Sequence, residues 1–214
     1  MKDAQGASAY GRTNWRRFAV AVGVPTVVAG GLVLGLAQGA FAASFAVSGQ
    51  SFKISADKLD GTGFVQYGDV DQTVKDKDGN VKSFPVARSG IADAKLYNLC
   101  QSVLVPGLPV SLTIRAGRDD GKPAEATDLL IGVTELSGDA TFKNINIGQD
   151  ASTLDQAGAK AHGAPGMFGQ QADSVVITGL QQTAYSTSAG TFKLTGLNLK
   201  VNGPGSNGKP AECY

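Results

Sequence analysis

Alternation of apolar and polar side chains at every second residue is the feature that most constrains this chain. The clearest runs are residues 110–114 (Val-Ser-Leu-Thr-Ile) and 197–201 (Leu-Asn-Leu-Lys-Val). Successive side chains of a strand point to opposite faces, so this period predicts strands with one buried face. The same pattern predicts strands at 52–56, 129–133, 140–147, 175–180 and 191–195.

A mostly β fold follows, because no apolar stretch beyond residue 42 keeps a helical period. Gly supplies 29 of the 214 residues and charged residues only 17%, which favours strands and turns over exposed helices. We expect residues 43–214 to form an antiparallel β-sandwich or an open curved β-sheet. Residues 149–172, rich in Ala, Gly and Gln, interrupt the pattern and predict one short helix or a mobile surface loop.

The N-terminal region predicts export. Residues 18–52 contain no charge, and the apolar part, 18–37, is long enough to cross a bilayer as a helix of about 30 Å. Four basic residues and one acidic residue precede it, which keeps that end in the cytoplasm. The predicted organisation is a cytoplasmic segment (1–17), a transmembrane helix or signal anchor (18–42) and an extracytoplasmic β domain (43–214).

Two features of the apolar segment bear on whether it is cleaved and on whether it packs against a second helix. Ala40-Phe41-Ala42 matches an A-x-A cleavage site, so the alternative to a retained anchor is a protein secreted after cleavage behind Ala42. Gly31, Gly35 and Gly39 recur every four residues and would let a second transmembrane helix, or a second copy, approach closely. Chance spacing in a Gly-rich chain is the alternative.

Cys100 and Cys213 are the only cysteines. In an oxidising compartment an even pair predicts one disulfide. A reactive thiol is the alternative, although no C-x-x-C is present. One His and two Cys are too few for a tetrahedral zinc site made of nitrogen and sulfur ligands, and we predict no metal and no cofactor.

Charge argues against a nucleic-acid partner. Removing the four basic residues and the one acidic residue of the N-terminal segment leaves 15 basic and 17 acidic residues, a formal charge of −2. A nucleic-acid surface needs a basic excess. The acidic stretch from Asp69 to Asn80 predicts a polar hairpin with an Asp-Gly turn. Its alternative, part of a calcium loop, lacks the required ligand order.

Catalytic residues are not assigned. His162 is the only imidazole base, G-x-S-x-G is absent, and His162 precedes both candidate serines, Ser188 and Ser206. We expect His162 to be an exposed polar residue of a Gly/Ala-rich segment. The acidic side chains single out no pair for glycoside hydrolysis and are expected to be solvated.

Several segments together resemble a known family. They are Trp15-Arg16-Arg17-Phe18, the run from Ser51 to Leu59, Asn146-Ile147-Gly148-Gln149-Asp150, and the ending from Thr187 to Cys213. The chain resembles exported, membrane-anchored proteins of unknown function from filamentous actinobacteria, some of which carry a cholesterol esterase label. The resemblance implies a location more than an activity.

The leading hypothesis is a non-catalytic, membrane-anchored extracytoplasmic β protein that serves as a structural or binding component of the cell envelope. Its expected partners are the membrane, a transmembrane helix at the three glycines, and a lipid. One alternative is a lipid-binding or transfer module with an apolar trough. The other is an ester or lipid hydrolase, which requires a His162 ring nitrogen within about 3.2 Å of the Ser188 or Ser206 hydroxyl.

Overall fold

The computed structural model describes residues 46–119, 121–158 and 161–214. These contain ten β-strands and one single-turn 3-10 helix, and no α-helix, so the predicted mostly β class is confirmed. In chain order the elements are β1 (Ala46–Val47), β2 (Phe52–Thr73), β3 (Ser83–Tyr97), β4 (Leu99–Leu104), β5 (Ser111–Ala116), β6 (Ala124–Lys143), β7 (Asn146–Asp150), the 3-10 helix (Ala151–Thr153), β8 (Phe168–Ser188), β9 (Thr191–Lys193) and β10 (Asn198–Asn202).

Four long strands form a closed ring. β2 pairs with β3, β3 with β6, β6 with β8, and β8 returns to β2, all antiparallel. The body is therefore a closed barrel with additional strands outside it, in place of the sandwich or open curved sheet that we expected.

Strand length explains the closure. β2 has 22 residues and β8 has 21, and strands of that length twist far enough for one sheet to meet itself. The alternating pattern records only that one face of each strand is covered. It does not record whether a second sheet or the same sheet covers it.

A smaller sheet extends from the first residues of β2. β4 pairs with β2 over Lys53–Ser55, β5 pairs with β4, and β10 pairs with β5 as the edge strand. β4 continues the line of β3 after a break at Asn98, whose φ of 52° lies in the left-handed region. We call β4, β5 and β10 the outer sheet.

Two apolar clusters lie on opposite faces of β2. Phe64 belongs to the main core inside the ring, where its ring centroid lies 5.2 Å from that of Phe142. Val65, the next residue, points the other way and packs with Tyr67 against the segment that follows β7. That segment contributes Ala151, Leu154, Ala157 and Ala161 to the second cluster.

Some predictions fall outside the described residues. The predicted anchor at 18–42, with Gly31, Gly35 and Gly39, belongs to this group. In the part of the chain that the structure describes, we find no helix with the length and apolar character needed to span a membrane.

Candidate functional site

The outer sheet carries an uncovered apolar surface. Register places Val103 beside Leu112 and Leu112 beside Val201, and a second row joins Ile114 to Leu199. We call these five residues the apolar face. Leu199 is 57% and Val201 64% exposed, whereas the three on β4 and β5 are half-buried. Exposure therefore increases toward the edge strand.

The sequence pattern located β5 and β10 correctly but assigned their burial wrongly. We expected the alternating aliphatic residues to be the covered ones. Instead Ser111 and Thr113 are buried, while Leu199 and Val201 are exposed. Alternation predicts two faces but does not say which of them the rest of the chain covers.

The C-terminal tail, residues 203–214, explains this reversal because it covers the polar face. The Ser111 hydroxyl donates to the Ala211 carbonyl, and the Cys213 amide donates to Ser102 Oγ at 3.0 Å. Asn202 Nδ2 donates to Thr113 Oγ1 at 3.1 Å. Each buried hydroxyl of this face has a partner, which removes the penalty of burying it.

The predicted disulfide fixes the tail in place. Cys100 of β4 and Cys213 are bonded, with their Cα atoms 5.8 Å apart and a sequence separation of 113. Both cysteines of the chain are used, so the alternative of a reactive thiol is wrong. The bond holds the polar face closed and leaves the apolar face as the outer surface of the sheet.

A groove lies at the end of the apolar face that is nearest the barrel. It has a volume of about 390 Å³, and Val47, Phe52, Val103 and Tyr185 form its apolar walls. The Tyr185 ring stacks on Phe84 with centroids 4.1 Å apart, which fixes one wall. Thr187 also lines the groove, and its buried hydroxyl has no hydrogen-bond partner among the described residues.

A buried ionic network lies behind the groove. Arg88 is 9% and Asp71 4% exposed, and their side chains form an ion pair. Arg88 Nη1 donates to Ser186 Oγ at 2.8 Å, and the Ser186 hydroxyl donates to Asp71 Oδ2 at 2.6 Å. Arg88 Nε donates to the more exposed Asp69 at 2.9 Å. We call these four residues the arginine cluster.

Register makes the cluster possible. Arg88 of β3 lies opposite Gly132 of β6, and Gly132 lies opposite Ser186 of β8. A Cβ atom on Gly132 would come within 2.5 Å of Ser186 Oγ and closer still to the Asp71 carboxylate. The side chains of Arg88, Asp71 and Ser186 meet across β6 because residue 132 has no side chain.

The charges and hydrogen bonds of the arginine cluster hold neighbouring strands together, and we call this role a clamp. Burial by itself lowers the pKa of Arg88, but hydrogen bonds to Asp71 and Asp69 outweigh it and raise the pKa, so the guanidinium stays charged. The Asp71 carboxylate that accepts the Ser186 hydrogen bond also pairs with Arg88. The network ties β2, β3 and β8 together.

The structure does not bring His162 to a serine. His162 is exposed, and its only hydrogen bond among the described residues joins Nδ1 to the Gly163 carbonyl at 3.4 Å. Ser188 ends β8, and Ser206 lies in an exposed turn of the tail. The serine contact that the hydrolase hypothesis requires is not formed within the described ranges.

The acidic stretch from Asp69 to Asn80 divides between two roles. Asp69 and Asp71 belong to β2 and bind Arg88. Asp76 closes the β2–β3 hairpin, where its carboxylate accepts from the amides of Asp78 at 2.9 Å and Asn80 at 2.8 Å. The predicted hairpin is confirmed. In the part of the chain that is described, no group of three metal-ligating side chains comes together.

Residues 149–172 contain the end of β7, the 3-10 helix, a connecting segment and the start of β8. Asp150 holds this segment: its carboxylate accepts from the Ser152 amide at 2.9 Å and from the Gly166 amide at 2.8 Å. These two bonds lower the pKa of Asp150 from its ordinary value. We call residues 151–167 the covering loop, because its described residues Ala151, Leu154, Ala157 and Ala161 pack against Val65 and Tyr67.

Comparison with known proteins agrees with the body described above. A family model described as "Family of unknown function (DUF6230)" matches residues 48–214. The chain belongs to this family. The match begins just before β2 and includes every element of the DUF6230 body except β1. No curated protein and no solved structure matches the chain. The actinobacterial origin and the esterase label stay predictions.

Sequence reasoning missed the arginine cluster of the DUF6230 body. The available signal was a charged residue, Arg88, between strand residues that alternate toward a covered face, with two acidic residues at the end of the preceding strand. We interpreted those acidic residues as part of a turn. The register places Arg88 opposite Tyr67, and only the side-chain contacts in the folded barrel show that Asp69 and Asp71 bind Arg88.

Proposed function

We propose that this chain is a non-catalytic, membrane-anchored extracytoplasmic protein that acts as a binding component of the cell envelope. The observation that carries the proposal is the apolar face of the outer sheet. Leu199 and Val201 are exposed and the other three side chains are half-buried, although the polar side of the same strands is covered and hydrogen-bonded. Contiguous exposed apolar patches on soluble domains mark interaction sites.

Two further observations support the location. The disulfide between Cys100 and Cys213 suits an oxidising compartment, because cytosolic thiols are kept reduced. The apolar run at 18–37 with basic residues before it suits a single span with the N-terminus inside and the body outside. Cleavage behind Ala42 would give the same location without the anchor.

The first experiment tests location and anchoring in intact cells that produce the full chain. A membrane-impermeant, amine-reactive biotin reagent should label Lys200 and Lys209, which are exposed, before the cells are lysed. A cytosolic protein serves as the unlabelled control. An alkaline carbonate wash should leave the chain in the membrane. The intact mass of the protein should be that of a chain that begins at Met1. Labelling of both lysines only after lysis would overturn the proposal.

A second candidate function, lipid binding or transfer, is favoured by the groove. Its apolar walls suit an amphiphile with one acyl chain. Native mass spectrometry of protein purified from its own membranes should then show a bound lipid. Val103→Glu in the groove should remove that lipid, and Leu108→Glu on the exposed β4–β5 turn should retain it. A lipid-free protein would rule this candidate out.

The hydrolase hypothesis keeps a direct test. Ester turnover that is unchanged in His162→Ala would exclude His162 as a general base, in agreement with its one hydrogen bond in the described body, which goes to the Gly163 carbonyl.

A further inference from the structure

We infer that the apolar face lies against the outer surface of the bilayer in which the chain is anchored, and that it contacts lipid directly. The inference rests on the proposed function, because it needs the body outside the cell and close to a membrane. It goes further by naming the occupant of the apolar face.

The chemistry of the face suits lipid better than protein. Its members are Val, Leu and Ile, with no aromatic ring and no hydrogen-bonding group. Protein interfaces concentrate Tyr, Trp, Phe, Met and Arg at their centres. An acyl boundary needs only dispersion contacts and removal from water, which aliphatic side chains provide.

The start of the described body is close to this face. Val47 of β1 lines the groove together with Phe52 and Val103, and Val103 is a member of the apolar face. The apolar part of the predicted anchor ends at Ala37, nine residues before Ala46. At most ~3.6 Å per residue, that stretch of chain reaches about 30 Å, so contact with the bilayer requires no long linker.

The edge of the sheet limits how deeply the face enters. Among the described strands β10 pairs with β5 alone, so its other backbone edge needs water or headgroups as hydrogen-bond partners. Lys200 lies at the centre of β10 and is exposed. A charge in that position discourages edge-to-edge pairing with a second copy and is stable at headgroup level. We expect contact about 5–10 Å deep, through side chains alone.

Tryptophan fluorescence tests this contact on the full chain reconstituted in phosphatidylcholine vesicles. Trp15 is the only tryptophan, so Trp15→Phe gives a silent background. Leu199→Trp reports from the apolar face. Ile147→Trp is the matched control, because Ile147 is an aliphatic residue of comparable exposure (67%) on β7, at the other end of the strand order.

Lipids brominated near the carbonyl end of the acyl chain should quench the Leu199→Trp emission about twofold, and lipids brominated near the methyl end should quench it less. The Ile147→Trp emission should not change. Equal quenching at both positions, or none at residue 199, would overturn the inference. So would a blue-shifted, unquenched emission at residue 199 with chemical cross-links between two copies, because a second copy would then occupy the face.

A carbonate wash separates this inference from the proposed function. If the chain stays in the vesicles after the wash and the Leu199→Trp emission is unquenched, the anchor is supported and lipid contact is refuted. If the wash removes the chain, but the Leu199→Trp emission is quenched before the wash, lipid contact is supported and the anchor is refuted.

Discussion

Gly132 is the residue on which the arginine cluster most depends. Gly132→Ala would force Ser186 and Asp71 away from Arg88, and overpacking of this kind costs about 1–3 kcal/mol of unfolding free energy. Gly68→Ala is the matched control, because Gly68 lies in β2 and its nearest neighbour, Met167 Cε, would be 3.7 Å from the new Cβ atom. Urea unfolding of both variants measures the difference. Equal midpoints would contradict the close approach at Gly132.

Arg88 and Asp71 should show strong energetic coupling. Arg88→Met leaves a buried carboxylate without its cation, and removal of one partner of a buried pair costs about 3–5 kcal/mol. The double variant Arg88→Met/Asp71→Leu removes both charges and should recover most of that loss. A double-mutant cycle from urea unfolding measures the coupling. If the two substitutions prove additive, the clamp interpretation is wrong.

The covering loop is the element most sensitive to a single carboxylate. The folded-state pKa of Asp150 is lowered from 3.8, so its stabilising effect is complete above 3.8 and is lost as pH falls through the lowered value. Asp150→Asn should increase amide exchange in residues 151–167 at neutral pH. We expect the parent protein to lose protection in the loop in acid, and Asp150→Asn should remove that dependence on pH.

Asp155→Asn is the control for the covering loop, because Asp155 is exposed and lies in the same segment. The backbone amides of the covering loop in Asp155→Asn should exchange at the same rate as those of the parent protein. Hydrogen exchange measured by mass spectrometry reports the loop separately from the β2–β3 hairpin, where Asp76 also has a lowered pKa. Faster exchange in both variants would show that the loop does not depend on the Asp150 carboxylate.

Single elements were predictable to different degrees. The positions of β5 and β10 and the middle of β8, residues 175–180, followed from alternation, because side-chain period is a local property of the strand. The direction in which β5 and β10 face was not predictable, because it depends on the tail, about a hundred residues after β5 in the sequence. The disulfide was predictable because two cysteines allow one connectivity.

At the scale of the whole molecule, closure of the barrel could not be deduced. It depends on the β2–β8 pairing between segments more than 100 residues apart, which no local pattern records. The arginine cluster also depends on strand pairing, namely that of β2 with β3 and of β6 with β8, since its residues come from β2, β3 and β8. The sequence could therefore predict a sheet-rich, cross-linked body but not the surface that this body presents.

That surface is the central claim, and photo-cross-linking in living cells tests it most directly. A benzophenone amino acid replaces Leu199 on the apolar face in one full-length variant and Ile147 on β7 in the other. Illumination should give a mass-shifted adduct from position 199 and none from position 147. Absence of any adduct at residue 199, with the body labelled outside the cell, would contradict the claim that the apolar face is a binding surface.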